Sequence, residues 1–438
     1  MNFPYTDNFF SIDETNGFLP IKAPLASLPE RYNDVQEIIS NLPSLIQSGD
    51  LLEKCILNLS NKIDIVSLES DIFVIQALYR AYTFLTSAYL LEPSNRDKTD
   101  GKYGVGRNVL PIQLTQPLEY VSSKLDVYPW LDYHYAYSLG NYVKKDPEAG
   151  FDYSNLDMAC KFSGTSDEIG FIMVHVDINS HSPNLIKGIQ TCINGNKHEG
   201  LKLILDTMEK INERRKTMWK ASNPSNYNNF RAFIMGIKGN EEIFGPGVKY
   251  EGSSNEELRT YRGQSGSQDD IIPTVDIFCG LFKFYPDNVL TKYLLDMRTY
   301  RPKPVQRFIS DLESNYIDYS ILNTDELKLL YGILEQIYYF RNGHWMFVQK
   351  YIMANTKYNV ATGGTPLTTW IPNQIHAVLN YMKIILSKIS NDDNEYFIAK
   401  KEEWDYKYDV LIAQIEELKK VNYNIDLVYK YEGKLAEN

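Results

Sequence analysis

The residue with the clearest chemical potential is a histidine on the apolar face of a long predicted helix. His344 falls in a seventh-residue series with Leu330, Ile337 and Tyr351 inside residues 324–353. Such spacing places side chains on one buried face of a helix. A buried imidazole needs a partner for each ring nitrogen. That partner is a side chain, a backbone carbonyl or a metal, and a single core histidine is more often structural than a ligand.

Two arginines lie in segments whose burial would require an anion. Arg341 precedes His344 by one helical turn and could pair with an acidic group beside the same pocket. Arg231 lies in the apolar segment 230–236 (FRAFIMG). A buried guanidinium needs a negative partner. For Arg231 the partner is an internal carboxylate or a ligand carboxylate held by two parallel hydrogen bonds.

A third candidate is the triplet His175-Val176-Asp177. A His-x-Asp triplet with a distant histidine begins the two-histidine-one-carboxylate iron site. That site uses a β-barrel scaffold, whereas this chain predicts helices, so His175 is retained only as a candidate pocket residue. No Gly-x-Ser-x-Gly, His-Glu-x-x-His or Cys–His motif occurs, and a hydrolase therefore has no support.

Helices are the elements that would position these residues, and the class predicted is all-α. Thr324 is predicted to cap the helix that carries His344. Two loops rich in Gly, Ser and Thr, 239–270 and 355–372, are too long for simple connections and indicate function. The predicted helices span 33–48 with a break at Pro43, 70–91, 117–144 in two pieces, 166–181, 184–221 with a break near 194–196, 228–237, 271–284, 288–300, 302–313, 324–353, 373–389 and 394–431.

The composition excludes several classes of partner. The chain has 438 residues and a net charge of −11, which argues against nucleic acid or an anionic membrane as its partner. It contains no run of 18 apolar residues and no recognisable secretory leader. Four widely spaced cysteines support neither a disulfide framework nor a zinc cluster. We therefore expect a cytoplasmic protein, either a monomer or a small homo-oligomer.

Ten short motifs occur in the order and at the intervals of one family. The motifs are Gly17-Phe18-Leu19-Pro20, residues 39–46 (ISNLPSLI), Asn108-Val109-Leu110-Pro111, Lys144-Lys145-Asp146-Pro147, residues 247–252 (GVKYEG), residues 296–302 (DMRTYRP), Leu312-Glu313-Ser314, Arg341-Asn342-Gly343-His344, Lys350-Tyr351-Ile352 and Thr362-Gly363-Gly364-Thr365. With them, residues 16–379 resemble indoleamine 2,3-dioxygenase and its relatives among the haem-dependent tryptophan dioxygenases.

The resemblance implies a helical fold of two domains that binds haem b. It implies a small N-terminal domain over residues 1–160, a large haem-binding domain over 161–390, and a C-terminal helical extension over 391–438. It makes His344 the axial ligand of the haem iron. Arg341 and Asp276 match an arginine–aspartate arrangement on the same, proximal side.

The resemblance also implies roles on the opposite, distal side of the haem. Arg231 would clamp the carboxylate of an amino-acid substrate, and Phe171 would pack against its indole ring. Ser265 and Gly266 would lie near the substrate amine and a haem propionate. The loop that closes over the pocket would consist of Thr362, Gly363, Gly364 and Thr365.

Four positions depart from the family pattern. Asn226 and Tyr227 replace a pair of phenylalanines, His175 stands at a serine position, and His134 stands at a tyrosine position. A distal histidine resembles the tryptophan-specific branch, in which it hydrogen-bonds the indole N–H. These changes make the predicted substrate pocket, which includes His134, Tyr227 and His175, more polar and leave the substrate open.

The expected reaction inserts both atoms of O2 across the C2–C3 bond of L-tryptophan or a related indole, giving an N-formylkynurenine-type product. Three alternatives stay open at this point. The first is another haem-dependent oxidation in secondary metabolism. The second is a haem sensor without catalytic function, and the third is a helical scaffold that binds no haem.

Overall fold

The computed structural model describes residues 1–285, 287, 289–358, 360–364, 370–389 and 395–420. Helices dominate it, and the predicted all-α class is confirmed. The α-helices are α1 Asn33–Gln47, α2 Leu51–Asn58, α3 Ile63–Val66, α4 Ile72–Arg96, α5 Ile112–Leu125, α6 Ser166–Asn179, α7 Ser182–Ile193, α8 Lys197–Arg215, α9 Met218–Ala221, α10 Asn228–Arg231, α11 Glu241–Phe244, α12 Ile271–Phe278, α13 Val289–Arg298, α14 Lys303–Ser314, α15 Thr324–Phe347, α16 Trp370–Ile389 and α17 Glu395–Lys420.

Short strands, 3₁₀ turns and π-helical turns join the helices. The strands form two-residue or three-residue ladders: β1 Tyr5–Thr6 with β2 Ser11–Ile12, β3 Val109–Leu110 with β6 Lys249–Tyr250, and β4 Tyr142–Lys144 with β5 Leu156–Met158. The 3₁₀ turns are Glu30–Tyr32, Tyr153–Asn155, Pro224–Asn226, Ala232–Ile234, Gly266–Gln268, Leu281–Phe284 and Tyr319–Ile321. Two π-helical turns span Tyr133–Tyr137 and Val348–Met353.

The central helix α15 begins and ends differently from the prediction. Asn323, not Thr324, caps it: its side chain accepts from the Glu326 amide, and the Glu326 carboxylate accepts from the Asn323 amide. This reciprocal pair satisfies two amides that lack helical partners. The α-helix ends at Phe347 and continues as the π-helical turn to Met353. Helices α8 and α16 pack along it, so that its apolar residues lie in the core.

Prolines did not break the helices where the sequence predicted. Helix α1 continues through Pro43, and α4 runs through Pro93 to Arg96, beyond the predicted end at 91. Proline removes one helical hydrogen bond, and burial of the apolar face of α1 offsets that loss. The second predicted helical piece of 117–144 is instead a π-helical turn followed by strand β4.

The three-part division at residues 160 and 390 stays a prediction. Contacts cross the first boundary, because β3 pairs in parallel with β6 and strand β1 packs on α14. Within the described residues, no helix combines the length and apolar character that crossing a membrane requires.

Two glycines allow the functional loops to meet the segment that follows Arg231. A Cβ on Gly236 would collide with the backbone of Arg262 and Gly263, and a Cβ on Gly263 would collide with the carbonyl of Thr362. The amide of Gly236 donates to the Thr362 carbonyl at 3.0 Å. Three chain segments therefore cross backbone to backbone, which fixes where Thr362 and the 264–267 segment lie.

We expect Gly236→Ala to lower the free energy of unfolding by about 2–3 kcal/mol, because the added methyl group forces two crossing backbones apart. Urea unfolding measures this change. Gly150→Ala is the matched control, since a Cβ at Gly150 meets nothing within 4 Å. Equal stability of the two variants would show that the crossing is not tightly packed.

Candidate active site

A cavity lies between α6, the π-helical end of α15 and the 264–267 segment. Its walls are mostly apolar, and a few polar groups converge on it, as in typical small-molecule sites. The structure brings together seven of the residues predicted from the sequence. They are Phe171, His175, Tyr227, Ser265, Gly266, His344 and Thr362.

His344 projects from α15 into this cavity. Burial, and then the positive charge of Arg215, lower the pKa of His344 to about 4, so the imidazole is neutral near pH 7. None of the described residues hydrogen-bonds either ring nitrogen of His344. A neutral histidine with a free nitrogen facing a cavity can act as a metal ligand.

Arg215 lies beside His344 and was missed by the sequence reasoning. It occupies the space left by the absent side chain of Gly343, where a Cβ would collide with its guanidinium. Its hydrogen bonds are long, 3.3 Å to Asn212 Oδ1 and 3.3 Å to the Tyr339 carbonyl. Burial lowers the pKa of Arg215 to about 10, so it stays cationic. No carboxylate of the described residues pairs with it.

A second cavity, of about 630 Å³, shares His344 with the first and extends toward Arg298, Arg301 and Arg341. Arg341 forms an ion pair with Asp276, whose carboxylate also accepts from Tyr285. Both members of the ion pair are buried. The predicted pairing of Arg341 with an acid beside the pocket thus has Asp276 as its acid, and the ion pair adds no net charge to this side of the site.

His175 and Phe171 face the cavity from α6, one turn apart. Burial, and then the neighbouring His344, lower the pKa of His175 to about 4. The Nδ1 atom of His175 lies 3.3 Å from the Tyr133 hydroxyl. The Phe171 ring lies 4.9 Å from Tyr227 and 5.6 Å from Tyr351, measured between ring centroids. The part of the cavity wall around α6 is therefore aromatic with one neutral imidazole in it. Asp177, by contrast, turns away and binds Arg214.

Arg231 lies next to the cavity wall and not in its lining. Its guanidinium is fully buried and donates to the Val360 carbonyl at 2.7 Å and to the Tyr103 hydroxyl at 3.3 Å. Among the described residues, its Nε has no hydrogen-bond partner and no acid pairs with its guanidinium. The positive charge of Arg231 acts on the lining residue Tyr227. It opposes the increase in the pKa of Tyr227 that burial causes.

The structure does not place His134 in the cavity, contrary to the prediction. Its Nε2 lies 2.8 Å from Asp270 Oδ2, and Asp270 Oδ1 accepts from Arg301 Nε at 2.7 Å. All three side chains are buried. The π-helical turn 133–137 points the side chain of Tyr133 toward His175. It points the next side chain, that of His134, into the network with Asp270 and Arg301. The residue predicted from the sequence is therefore the neighbour of Tyr133, whose side chain contacts the cavity residue His175.

The two predicted loops reach the site only in part. Ser265 lies at the start of a 3₁₀ turn, where its hydroxyl accepts from the Ser267 amide. Thr362 lines the cavity, and the Gly363 carbonyl accepts from Arg262. Gly363 and Gly364 do not line the cavity. Thr365 lies outside the described residues.

Several lining residues were not among the predicted site residues. Phe340, Phe347 and Tyr351 lie four before, three after and seven after His344, and this helical spacing could have identified them. Gln264 and Asp269 flank the predicted Ser265 and Gly266, and only proximity in sequence pointed to them.

The chain is similar to known proteins over most of its length. A family model described as indoleamine 2,3-dioxygenase matches residues 6–380. Indoleamine 2,3-dioxygenase 1 of Rattus norvegicus is 28% identical over 362 residues, which covers 80% of this chain and 85% of the relative. Indoleamine 2,3-dioxygenase 2 of Homo sapiens is 26% identical over 367 residues, covering 80% and 84%. A 6-hydroxytryptophan 2,3-dioxygenase of Fusarium equiseti is 26% identical over 366 residues, covering 78% and 84%.

Replacement of His134 distinguishes a core role from a ligand contact. We expect His134→Leu to lower the free energy of unfolding by about 2–3 kcal/mol, because it removes a hydrogen bond from a buried carboxylate. Affinity for a cavity ligand such as L-tryptophan, measured by spectral titration, should be unchanged. The exposed His198→Gln should change neither quantity. A large loss of affinity without loss of stability in His134→Leu would show that His134 contacts the ligand.

Proposed function

The chain belongs to the indoleamine 2,3-dioxygenase family of haem-dependent dioxygenases, and from this premise we propose that it cleaves the C2–C3 bond of the indole ring of L-tryptophan with O2. The product would be N-formylkynurenine. The observation that carries the proposal is the pair of neutral histidines, His344 on α15 and His175 on α6, that line one aromatic cavity.

The residues present fit a haem. His344 offers a neutral nitrogen that hydrogen-bonds none of the described side chains, and it would hold the haem through its iron. Phe340, Phe347 and Val348 supply apolar surface for the macrocycle. Arg215, which pairs with no carboxylate of the described residues, supplies positive charge for one of its carboxylates. When bound, haem with one histidine ligand supplies the oxygen chemistry, and the protein supplies orientation and exclusion of water.

Arg231 would bind the substrate carboxylate. A fully buried guanidinium without an acid partner is unfavourable until an anion arrives. Its present partners, the Tyr103 hydroxyl and the Val360 carbonyl, are neutral acceptors that a carboxylate would outcompete. Because Arg231 lies behind the lining, binding would involve a shift of its side chain toward the cavity.

The indole ring would lie against the aromatic wall formed by Phe171, Tyr227 and Tyr351. His175 would accept the hydrogen bond of the indole N–H, since its neutral ring faces the same space. Fixed at both ends, the ring would hold its C2–C3 bond in one orientation, and orientation alone accelerates a reaction between two bound partners strongly. Ser265, Gly266 and Thr362 would cover the amino-acid end and keep water out.

A ring-substituted tryptophan is the second candidate substrate. Gln264 and Asp269 add polar groups to the lining, and one relative carries the name 6-hydroxytryptophan 2,3-dioxygenase. Comparison of kcat/KM for L-tryptophan and 6-hydroxy-L-tryptophan decides between the two.

The function is tested with reduced, haem-loaded protein, L-tryptophan and O2. We expect a product two oxygen atoms heavier than tryptophan, detected by mass spectrometry, and a Soret band on the purified protein. His344→Ala should lose the Soret band and the product, because the axial ligand is gone. His376→Ala, which removes a half-buried histidine that hydrogen-bonds Tyr408 outside the cavity, should keep both. Absence of turnover with either tryptophan in protein that binds haem would refute the proposal.

The role of Arg231 is tested with a substrate that lacks the carboxylate. We expect Arg231→Leu to lower kcat/KM for L-tryptophan at least a hundredfold, which corresponds to a charge-assisted contact of about 3 kcal/mol. For tryptamine the variant and the parent should differ little. An equal loss for both substrates would mean that Arg231 has a structural role only.

A further inference from the structure

Behind His175, a chain of hydrogen bonds leads away from the cavity to a buried carboxylate. The His175 Nδ1 atom lies 3.3 Å from the Tyr133 hydroxyl, which lies 2.8 Å from Asp269 Oδ2. Tyr133 is fully buried and Asp269 is 4% exposed. The remaining ring nitrogen of His175, Nε2, has no partner among the described residues.

Burial and the hydrogen-bond donors around Asp269 act on its pKa in opposite directions. Burial raises the pKa of Asp269, but its two oxygens accept from three groups: Tyr133 Oη at 2.8 Å, Asn179 Nδ2 at 2.7 Å and the Ile271 amide at 2.9 Å. Hydrogen bonds to a carboxylate favour its charged form. As a carboxylate, Asp269 can only accept.

The orientation of Asn179 is fixed independently. Its Nδ2 also donates to the backbone carbonyl of His175 at 2.8 Å. A carbonyl and a carboxylate both require a donor, so the nitrogen of this amide must lie on that side. Both of its protons are then in use, and the proton between Tyr133 and Asp269 must come from the tyrosine.

The tautomer of His175 follows from this order. The Tyr133 proton points to Asp269, so its oxygen can only accept from His175, and Nδ1 must carry the imidazole proton. We propose that Tyr133 and Asp269 are positioning residues that hold His175 in the Nδ1–H tautomer, so that Nε2 presents a lone pair to the cavity. The consequence for catalysis rests on the proposed function: His175 would accept a hydrogen bond from the indole N–H and could not donate one to a small ligand of the haem.

This assignment gives the pocket a directional preference. A lone pair favours ligands that present an N–H or O–H group at that point and disfavours those that present an acceptor. Neither the presence of a histidine nor its neutrality would give that preference, because the other tautomer donates. The selectivity therefore depends on two residues, of which Tyr133 does not line the cavity.

Carbon monoxide bound to the reduced haem-loaded protein is a probe of this tautomer. A lone pair facing the ligand raises the C–O stretching frequency, and an N–H group facing it lowers the frequency. His175→Leu, which offers neither, provides the reference. We expect the parent protein to absorb above this reference in the infrared spectrum.

Two conservative variants remove the interactions that hold the imidazole proton of His175 on Nδ1. Tyr133→Phe removes the acceptor of Nδ1–H, and Asp269→Asn removes the charge that orients the Tyr133 proton. In each we expect a second C–O band at or below the frequency of His175→Leu. Tyr137→Phe is the matched control, because Tyr137 is buried on the same turn and hydrogen-bonds a carboxylate, Glu168, without contacting His175. Its spectrum should match the parent.

A parent band below the reference would overturn the proposal, and so would a single unshifted band in both Tyr133→Phe and Asp269→Asn. The nitrogen-15 spectrum of histidine-labelled protein tests the same tautomer without haem, with His175 assigned from the signal lost in His175→Leu. A protonated Nε2 there would also overturn the proposal. Failure to bind carbon monoxide would instead refute the haem site, and the nitrogen-15 result would still decide the tautomer.

Discussion

The site depends on one constraint, which is that a neutral imidazole must stay without a protein partner on the buried face of α15. Core imidazoles normally hydrogen-bond to their surroundings. Here Gly343 removes the neighbouring side chain and Arg215 fills its place with positive charge, which cannot accept from His344 and disfavours its protonation. The apolar residues one turn away on either side leave a cavity where a core would otherwise close. The helix is thus packed along most of its length and open at one point.

The arginines beside the two cavities divide into two groups by their partners. Arg301 and Arg341 have internal acids, Asp270 and Asp276, and the networks they form are complete without a ligand. Arg215 and Arg231 have none among the described residues. Because a buried charge without a counter-ion is unfavourable, the second pair indicates where anions belong. Arg215 lies beside His344, which matches a carboxylate of a bound cofactor. Arg231 lies beside the aromatic wall, which matches the carboxylate of an amino-acid substrate.

The sequence predicted the elements of the site better than its details, for physical reasons. The heptad series on α15 identified His344 because helical periodicity is a local property that tertiary packing preserves. The choice between His134 and Tyr133 could not be made in this way, since a π-helical turn rotates side chains away from the ordinary helical spacing. Arg215 follows Arg214 at the end of α8 without a local signal of burial, and only the packing of α8 against Gly343 buries it. The family resemblance supplied roles for individual residues that periodicity could not.

The two histidines of the cavity, His344 and His175, are kept neutral in different ways. His344 is kept neutral by burial and a nearby cation, and none of the described residues constrains which of its nitrogens carries the proton. His175 is also kept neutral, but the hydrogen bonds through Tyr133 to Asp269 determine the position of its proton. A metal ligand needs only a free lone pair, whereas recognition of an N–H group needs the lone pair at a fixed place. The additional buried carboxylate, which is costly in a core, is therefore found behind the histidine that we propose recognises a substrate and not behind the one that we propose binds iron.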